Sequence, residues 1–248
     1  MEKLEHSLFL VELFNKIFSK PLSSFLGLFG IEVKNPEHFV PDHVVMSLIV
    51  AGVLILFFTF ASRNPKRVPT RLQNVLELII QFFEGLLTEL VGKEGQKYLP
   101  MIATLGLFIL TCNLLGLVPG FMSPTSKINV TAGCALAIFV YYHWQGIRSL
   151  GFFKYLKHFM GPIPLLAPLM LPIEIISHFS RPLSLSMRLF GNIFAEELLI
   201  LIMASILPFL LPLPFMLIAI ITAVVQAYVF VLLSCIYIAG AVAHEEEH

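Results

Sequence analysis

The chain has 248 residues, of which 57% are hydrophobic and 13% are charged, and its mean hydropathy is +0.87. About a quarter of the residues in an ordinary soluble domain are charged, so this composition excludes a soluble globular protein. The apolar runs are continuous and about twenty residues long, which predicts an all-α integral membrane protein rather than a barrel. Equal numbers of basic and acidic residues, 16 of each, leave no net charge and give no indication of a nucleic-acid partner.

Residues 1–43 are predicted to form an external N-terminal segment. Polar residues interrupt the apolar stretch of residues 8–18, which indicates an amphipathic helix at the interface. Residues 44–61 are uncharged and long enough for a first spanning helix, with Asp42 at an N-cap position. A basic cluster follows at 63–71, so the positive-inside rule places this end in the cytoplasm and the N-terminus outside.

Three further helices are predicted before residue 150. Residues 72–90 form an amphipathic surface helix, because their polar residues recur at three- and four-residue steps. Residues 99–118 and 128–147 form a spanning hairpin with a short outer loop. Asn113 in this hairpin is interpreted either as a helix–helix contact or as part of a functional path. The cysteines all lie in apolar runs and are interpreted as packing residues: Cys112, Cys134 and Cys235.

The last two elements are too long to cross a bilayer at right angles. As helices, residues 162–207 and 214–243 would measure about 69 Å and 45 Å, against a hydrocarbon core of about 30 Å. They are predicted to form a long tilted antiparallel hairpin with its turn outside and the C-terminus in the cytoplasm. With about five membrane helices and no internal repeat, residues 1–248 are predicted to form a single membrane domain.

A stripe of polar side chains follows the first of these long helices. At about 100° per residue it fills an arc of about 80°, and it contains Glu174, His178, Arg181, Arg188, Asn192 and Glu196. A guanidinium keeps its charge in proteins, and one near the bilayer centre costs roughly 3 kcal/mol, so Arg188 is predicted to be functional. The two hypotheses are a path for ions and a buried ion-pair network that joins helices.

The predicted orientation distributes the acidic residues on both sides of Arg188. Glu174 lies about 21 Å away toward the cytoplasm and Glu196 about 12 Å away toward the outside, which describes two half-paths that do not join. Glu197 points away from Arg188 in an ideal helix and is a candidate to face the last helix. Gln226 in that last helix is interpreted either as a bond to a neighbouring helix or as a partner for Arg188 or a water chain.

Two other classes of protein compete with an ion path of this kind. The last five residues, 244–248, match the H-E-x-x-H pattern of zinc enzymes, but chain ends fray and no third ligand follows. A self-contained secondary transporter would use the polar stripe as its substrate site, but such proteins usually show internal repeats. Without a phosphate-binding loop or a nucleophile motif, the chain is predicted to have no active site, metal or cofactor of its own.

The run Arg181-Pro182-Leu183-Ser184-Leu185-Ser186-Met187-Arg188-Leu189-Phe190-Gly191-Asn192, followed by Ala195-Glu196-Glu197-Leu198, resembles the signature of subunit a of F-type ATP synthases. That subunit is the membrane stator beside the rotating ring of c subunits. The supporting residues are Glu174 upstream, Gln226-Ala227-Tyr228-Val229-Phe230, Asn113-Leu114-Leu115-Gly116, and Asp42 before the first span. The resemblance covers nearly the whole chain.

The resemblance implies a role for several of these residues. Arg188 is its essential stator arginine, which faces the rotor carboxylate, and Glu174 lies near the inner half-channel. Some members have a histidine where this chain has Ala219, so that Glu196 is the compensating group and both Glu196 and Glu197 stay candidates. The residues that line or shape the outer half-channel are Asn192, Glu197 and Gln226. His178 belongs to the proposed path through the stripe, and Asn113, Arg181 and Asp42 have secondary roles.

The resemblance also implies partners and a location. The partners are the c-ring subunits, the peripheral-stalk b subunits, the remaining ATP synthase subunits and the lipid bilayer. The implied activity is proton translocation through two offset half-channels, coupled to rotation and ATP synthesis. The chain shows neither a secretory signal nor a transit peptide, which favours a bacterial chain or one made inside an organelle. A multi-pass protein of the bacterial inner membrane is the predicted location.

Overall fold

The computed structural model describes residues 40–63, 70–118, 121–158, 167–208 and 210–242. In these ranges the chain forms seven α-helices and two 3-10 turns and contains no strand. The α-helices are α1 (Asp42–Ala61), α2 (Arg71–Leu90), α3 (Leu99–Leu115), α4 (Ile128–Leu150), α5 (Phe152–His158), α6 (Ala167–Ile206) and α7 (Pro212–Val242). The 3-10 turns are Lys93–Tyr98 and Pro124–Ser126. The predicted all-α membrane class is confirmed.

Four helices of the described chain are long and apolar enough to cross a membrane. They are α1, α3 with its preceding 3-10 turn, α6 and α7. Helix α4 was predicted to span as well, and with 23 residues it is long enough, but its composition leaves it outside this set. Several of its polar side chains are turned inward, since Thr131 and Tyr142 are buried against α6. These polar side chains of α4 therefore lie in the interior of the helical bundle.

The predicted boundaries differ from the observed ones by a few residues. Helix α3 ends at Leu115 rather than at 118, and α6 is described from Ala167 rather than from 162. Asp42 was predicted as an N-cap, but Pro41 occupies that position and Asp42 begins the helix. Proline is suited to a helix entry because it has no N–H to leave unpaired. The interfacial helix predicted near the N-terminus and the 244–248 motif lie outside the described residues.

Helix α6 is a continuous helix of 40 residues despite Pro172 and Pro182 within it. Its inward face repeats at four-residue steps, and Leu185, Leu189 and Ile193 are all buried. These side chains join a core made with α4 and α7, to which Ile138 and Phe230 belong. Because only this narrow face is covered, most of the remaining surface of α6 is exposed.

The two ends of the bundle are marked by different elements. At one end, which we call the loop end, Val45 and Met46 of α1 pack against Leu115 and Phe121 beside the α3–α4 loop. At the other end, which we call the α5 end, Gly146 of α4 lies against Tyr155 of α5 and against the end of α7. Helix α6 begins at the α5 end and reaches the loop end, where Glu197 contacts Ser123. Helix α7 returns antiparallel to it, because Glu196 lies beside Thr222 while the earlier Asn192 bonds the later Gln226. The two long helices therefore form the predicted hairpin.

Gly146 is a close-packing position, and Gly146→Ala is expected to destabilise the protein. An added Cβ would meet the Tyr155 ring and would lie 2.9 Å from the carbonyl oxygen of Ala241. Overpacking of this kind typically costs about 1–3 kcal/mol. Gly133→Ala is the matched control, because Gly133 lies in the same helix with nothing within 4 Å of its Cβ position. Thermal unfolding in detergent should show a lower midpoint for Gly146→Ala alone, and equal midpoints would contradict this packing.

Candidate functional site

Arg188 projects away from the bundle near the middle of α6. Its side chain is exposed, while Leu185 and Leu189 on the neighbouring turns are 1% and 0% exposed. Within the part of the chain that the structure describes, no carboxylate lies within ion-pair distance of the guanidinium. The hypothesis of a buried ion-pair network therefore does not describe Arg188. A permanent cation is instead presented on the surface of the hairpin.

Glu197 lies on the opposite side of α6 and contacts the α3–α4 loop. Its Oε1 accepts a hydrogen bond of 2.9 Å from the backbone N–H of Ser123. Gly116 permits this approach, since a Cβ there would lie 3.1 Å from the same oxygen. The expectation that Glu197 could face the last helix is corrected here, because the loop folds back over this face of α6. The carboxylate is thereby held at the loop end of the bundle.

A hydrogen-bonded network extends from this loop to α7. The Thr125 hydroxyl donates to Asn113 Oδ1 over 2.7 Å and lies 2.7 Å from the hydroxyl of Ser123. Asn113 in turn donates to the carbonyl oxygen of Ala223 over 3.3 Å. Asn113, Ser123 and Thr125 are all buried. The helix-contact interpretation of Asn113 is thus confirmed, and the same residue also links Glu197's loop to the last helix.

Asn192 and Gln226 connect the two long helices directly. Asn192 Nδ2 donates to Gln226 Oε1 over 2.8 Å, one turn along α6 from Arg188. Gln226 is buried and bonds a neighbouring helix, as one of its two interpretations predicts. Glu196 lies one further turn along, partly buried and beside the Thr222 side chain of α7. Glu196, rather than Glu197, is therefore the carboxylate at the α6–α7 contact.

A second polar cluster lies toward the α5 end. His178 Nε2 is 3.2 Å from Glu174 Oε1, and Arg181 Nη2 is 4.0 Å from the same oxygen. His178 Nδ1 is 3.2 Å from the hydroxyl of Tyr142 on α4. His178 and Tyr142 are buried, whereas the Glu174 side chain remains 37% exposed. Here the polar stripe does form a network between helices.

Sequence reasoning missed the residues that complete both clusters. Ser123 and Thr125 were counted only as part of a short loop, and Tyr142 was not among the candidate site residues. His143, whose ring centroid lies 5.1 Å from that of His178, was not singled out. The available signal was the polarity of helix 128–147, which is unusual for a spanning segment. Asp42 at the start of α1 is not brought into either cluster by any described contact.

The described residues contain no group of three His, Cys, Asp or Glu side chains placed to hold a metal ion. Cys112, Cys134 and Cys235 are free and buried, as expected of packing residues.

The fold and the site define a polytopic α-helical membrane protein that exposes a fixed cation between two polar clusters. The family model of the ATP synthase A chain matches residues 44–239, a range that contains every one of these cluster residues. The chain belongs to this family, and the resemblance predicted from the Arg188 region is confirmed.

Several relatives named ATP synthase subunit a match most of the chain. ATP synthase subunit a of Sulfurihydrogenibium sp. is 46% identical over 205 residues, which make up 83% of this chain and 99% of that protein. ATP synthase subunit a of Geobacter sulfurreducens is 47% identical over 207 residues, with 84% and 89% covered. ATP synthase subunit a 1 of Pelobacter propionicus is 46% identical over 207 residues, again with 84% and 89% covered.

Asn113→Leu is expected to loosen the loop that holds Glu197. The change removes the acceptor of the Thr125 hydroxyl and the donor to Ala223, and unsatisfied buried groups cost about 1–3 kcal/mol. Thr111→Val is the control, because the Thr111 hydroxyl bonds the carbonyl of Leu107 in its own helix. Thermal unfolding in detergent should separate the two variants. Equal stability would contradict the bridging role of Asn113.

Proposed function

We propose that this chain is the proton-translocating stator subunit of the membrane sector of an F-type ATP synthase. The observation that carries the proposal is the exposed guanidinium of Arg188 on the outward surface of α6, which pairs with no carboxylate among the described residues. Family membership supports the same assignment. The chain has no catalytic role of its own in ATP synthesis, and the ATP-forming chemistry belongs to other subunits of the complex.

The surface around Arg188 is suited to a partner that moves within lipid. The exposed side chains within one turn of Arg188 are Ser184, Met187 and Asn192, all of them uncharged. A cation on such a surface is costly unless an opposite charge approaches it. A carboxylate carried by a ring of c subunits supplies that opposite charge each time it passes Arg188. The c-ring is therefore the partner proposed for this face.

The charge on Arg188 explains why the proton must leave the passing carboxyl group. A protonated carboxyl is neutral and can travel through lipid, whereas a nearby guanidinium favours its ionised form. Arg188 cannot accept the released proton, because a guanidinium stays protonated in proteins. The proton therefore goes to a separate polar route, and a direct leak past Arg188 is blocked.

The two polar clusters supply the proposed routes. Glu196, Glu197, Asn192 and Gln226 surround the loop-end part of the α6–α7 hairpin, which we assign to the outer half-channel. Glu174 and His178 form the α5-end cluster, which we assign to the inner half-channel. Since Arg188 lies between the clusters along α6, the routes are offset and meet only through the rotor. Each charge that crosses is worth about 2.3 kcal/mol per 100 mV.

The proposed setting follows from the same assignment. The chain lies in the bacterial inner membrane, with its N-terminus outside and its C-terminus in the cytoplasm. The basic residues that follow α1 support this orientation. Its other partners are the peripheral-stalk b subunits and the remaining subunits of the complex. No described feature favours a self-contained transporter, since the conspicuous cation faces outward rather than into an enclosed substrate site.

Arg188→Ala is expected to abolish coupled proton pumping, because no fixed charge then ionises the rotor carboxyl group. Arg188→Lys should also fail largely, since a lysine is a compact charge that can lose its proton when buried. ATP-driven acidification of membrane vesicles that contain the assembled complex measures both. Arg148→Ala, which removes an exposed guanidinium at the end of α4, should stay within about twofold of wild type. Retained pumping in Arg188→Ala would overturn the assignment.

Glu197→Gln separates a titrating role of this residue from a structural one. The glutamine oxygen can still accept from the Ser123 N–H, so the free energy of unfolding should be unchanged. Pumping should fall at least about tenfold if the carboxyl passes protons. Glu197→Leu should slow pumping similarly and also destabilise the protein by about 1–3 kcal/mol. Full activity of Glu197→Gln would contradict a titrating role of Glu197 and leave Glu196 as the candidate carboxylate of the outer half-channel.

A further inference from the structure

A cavity of about 630 Å³ lies at the α5 end of the bundle, and none of its lining residues belongs to either polar cluster. Its walls come from the end of α2, the 3-10 turn Lys93–Tyr98, Ser149 near the end of α4, and the last residues of α7 from Ile236 to Val242. Sites for small molecules commonly have volumes of about 300–1,000 Å³. The cavity is therefore large enough to hold a ligand.

The cavity lies where two long apolar segments end. The segment that contains α3 begins at Lys93, the segment formed by α7 ends at Val242, and both are long enough to cross a membrane. The ends of spanning segments lie at the border between the hydrocarbon core and the lipid headgroups. The cavity is thus at the depth where the headgroups of one leaflet surround the protein.

The walls of the cavity change from polar to apolar along its length. Lys93 and Lys97 are exposed on the 3-10 turn, and Ser149 adds a hydroxyl group. Ile236, which comes about 9 Å before Val242 along α7, is apolar and 43% exposed. A phospholipid in a leaflet has the same order, with its phosphate outermost and its acyl chains beneath.

The charges around the cavity favour an anionic ligand. Two lysines and Glu94 line it, which leaves a net charge of +1. Lys97 Nζ lies 2.8 Å from Glu94 Oε2, but the two side chains are 47% and 81% exposed, and an ion pair as exposed as this contributes little stability. Because an ammonium group has three donors, Lys97 can contact Glu94 and a phosphate oxygen together.

We propose that this cavity binds one anionic phospholipid, with the lipid phosphate on Lys93 and Lys97 and the acyl chains along the apolar side of α7. Phosphatidylglycerol fits this description, because its headgroup carries no cation to oppose the lysines. Phosphatidylcholine does carry one and is the natural comparison. The inference goes beyond the proposed function, since it requires only that the chain lies in a membrane.

Lipid binding to the purified full-length chain in detergent tests the proposal. Native mass spectrometry during titration with phosphatidylglycerol or phosphatidylcholine gives an apparent dissociation constant for each lipid. The wild-type chain should bind one phosphatidylglycerol at least about tenfold more tightly than phosphatidylcholine. Lys93→Gln combined with Lys97→Gln should weaken phosphatidylglycerol binding about thirtyfold, since each basic residue beside an anionic headgroup contributes about fivefold.

The matched control removes two cations at the same end of the bundle. Arg148→Gln combined with Lys154→Gln changes exposed residues of α4 and α5 that do not line the cavity. This control should bind phosphatidylglycerol like the wild-type chain. Equal losses in the two double variants would show a general attraction between basic residues and anionic lipid, and would overturn the proposal.

Two single variants give results that a folding defect cannot imitate. Glu94→Gln raises the net charge of the cavity from +1 to +2 and should tighten phosphatidylglycerol binding about fivefold. Gly240 lines the cavity and has nothing within 4 Å of its Cβ position, so the side chain of Gly240→Leu can occupy the space without a clash. Gly240→Leu keeps every charge and should weaken phosphatidylglycerol binding at least about tenfold.

The remaining outcomes identify other occupants. Competition by millimolar inorganic phosphate would assign the lysines to a free anion and overturn the lipid site. Equal affinity of the full-length chain for the two lipids would overturn it as well. A preference for phosphatidylglycerol that appears only after residues 243–248 are deleted would instead make the glutamates at 245–247 the occupant. Unchanged binding in Gly240→Leu would show that the lipid lies outside the cavity, which also contradicts the proposal.

Discussion

The structure depends on one electrostatic constraint, a charge that cannot be neutralised by losing a proton and that lies on the exposed surface of a long membrane helix. Arg188 is exposed between buried leucines, and no described carboxylate pairs with it. Such a residue is unfavourable in lipid and favourable only beside an opposite charge. The rest of the bundle can be understood as the support that holds this guanidinium outward and keeps the other polar groups separate from it.

Helix rotation explains how one stripe of polar residues serves two different environments. His178 and Arg188 lie at opposite edges of the stripe, about 80° apart around the helix axis. One edge faces α4, where His178 meets Tyr142, and the other edge faces away from the bundle. The core face of Leu185, Leu189 and Ile193 fixes this rotation. A small rotation of α6 about its own axis would bury the Arg188 guanidinium or expose His178.

The polar clusters on either side of Arg188 differ in how they are built. Toward the loop end, uncharged groups such as Asn113, Thr125 and the Ser123 N–H hold a carboxylate and tie it to α7. Toward the α5 end, titratable side chains contact one another directly, as Glu174 does with His178. Neutral hydrogen-bond partners fix a geometry, whereas titratable partners can also change their protonation. The two proposed half-channels are therefore expected to respond differently to pH.

The sequence by itself determined the all-α membrane class, the helices near 44–61, 72–90 and 214–243, and the family. Those features depend on length, periodicity and a local motif, which neighbouring residues along the chain specify. Only the tertiary structure decided that Glu197 meets the loop while Glu196 meets α7, and that Tyr142 completes the Glu174 cluster. Those contacts join residues 74, 26 and 36 positions apart. They depend on how each helix is rotated against its neighbours, which a hydrophobic pattern constrains only to within a broad face.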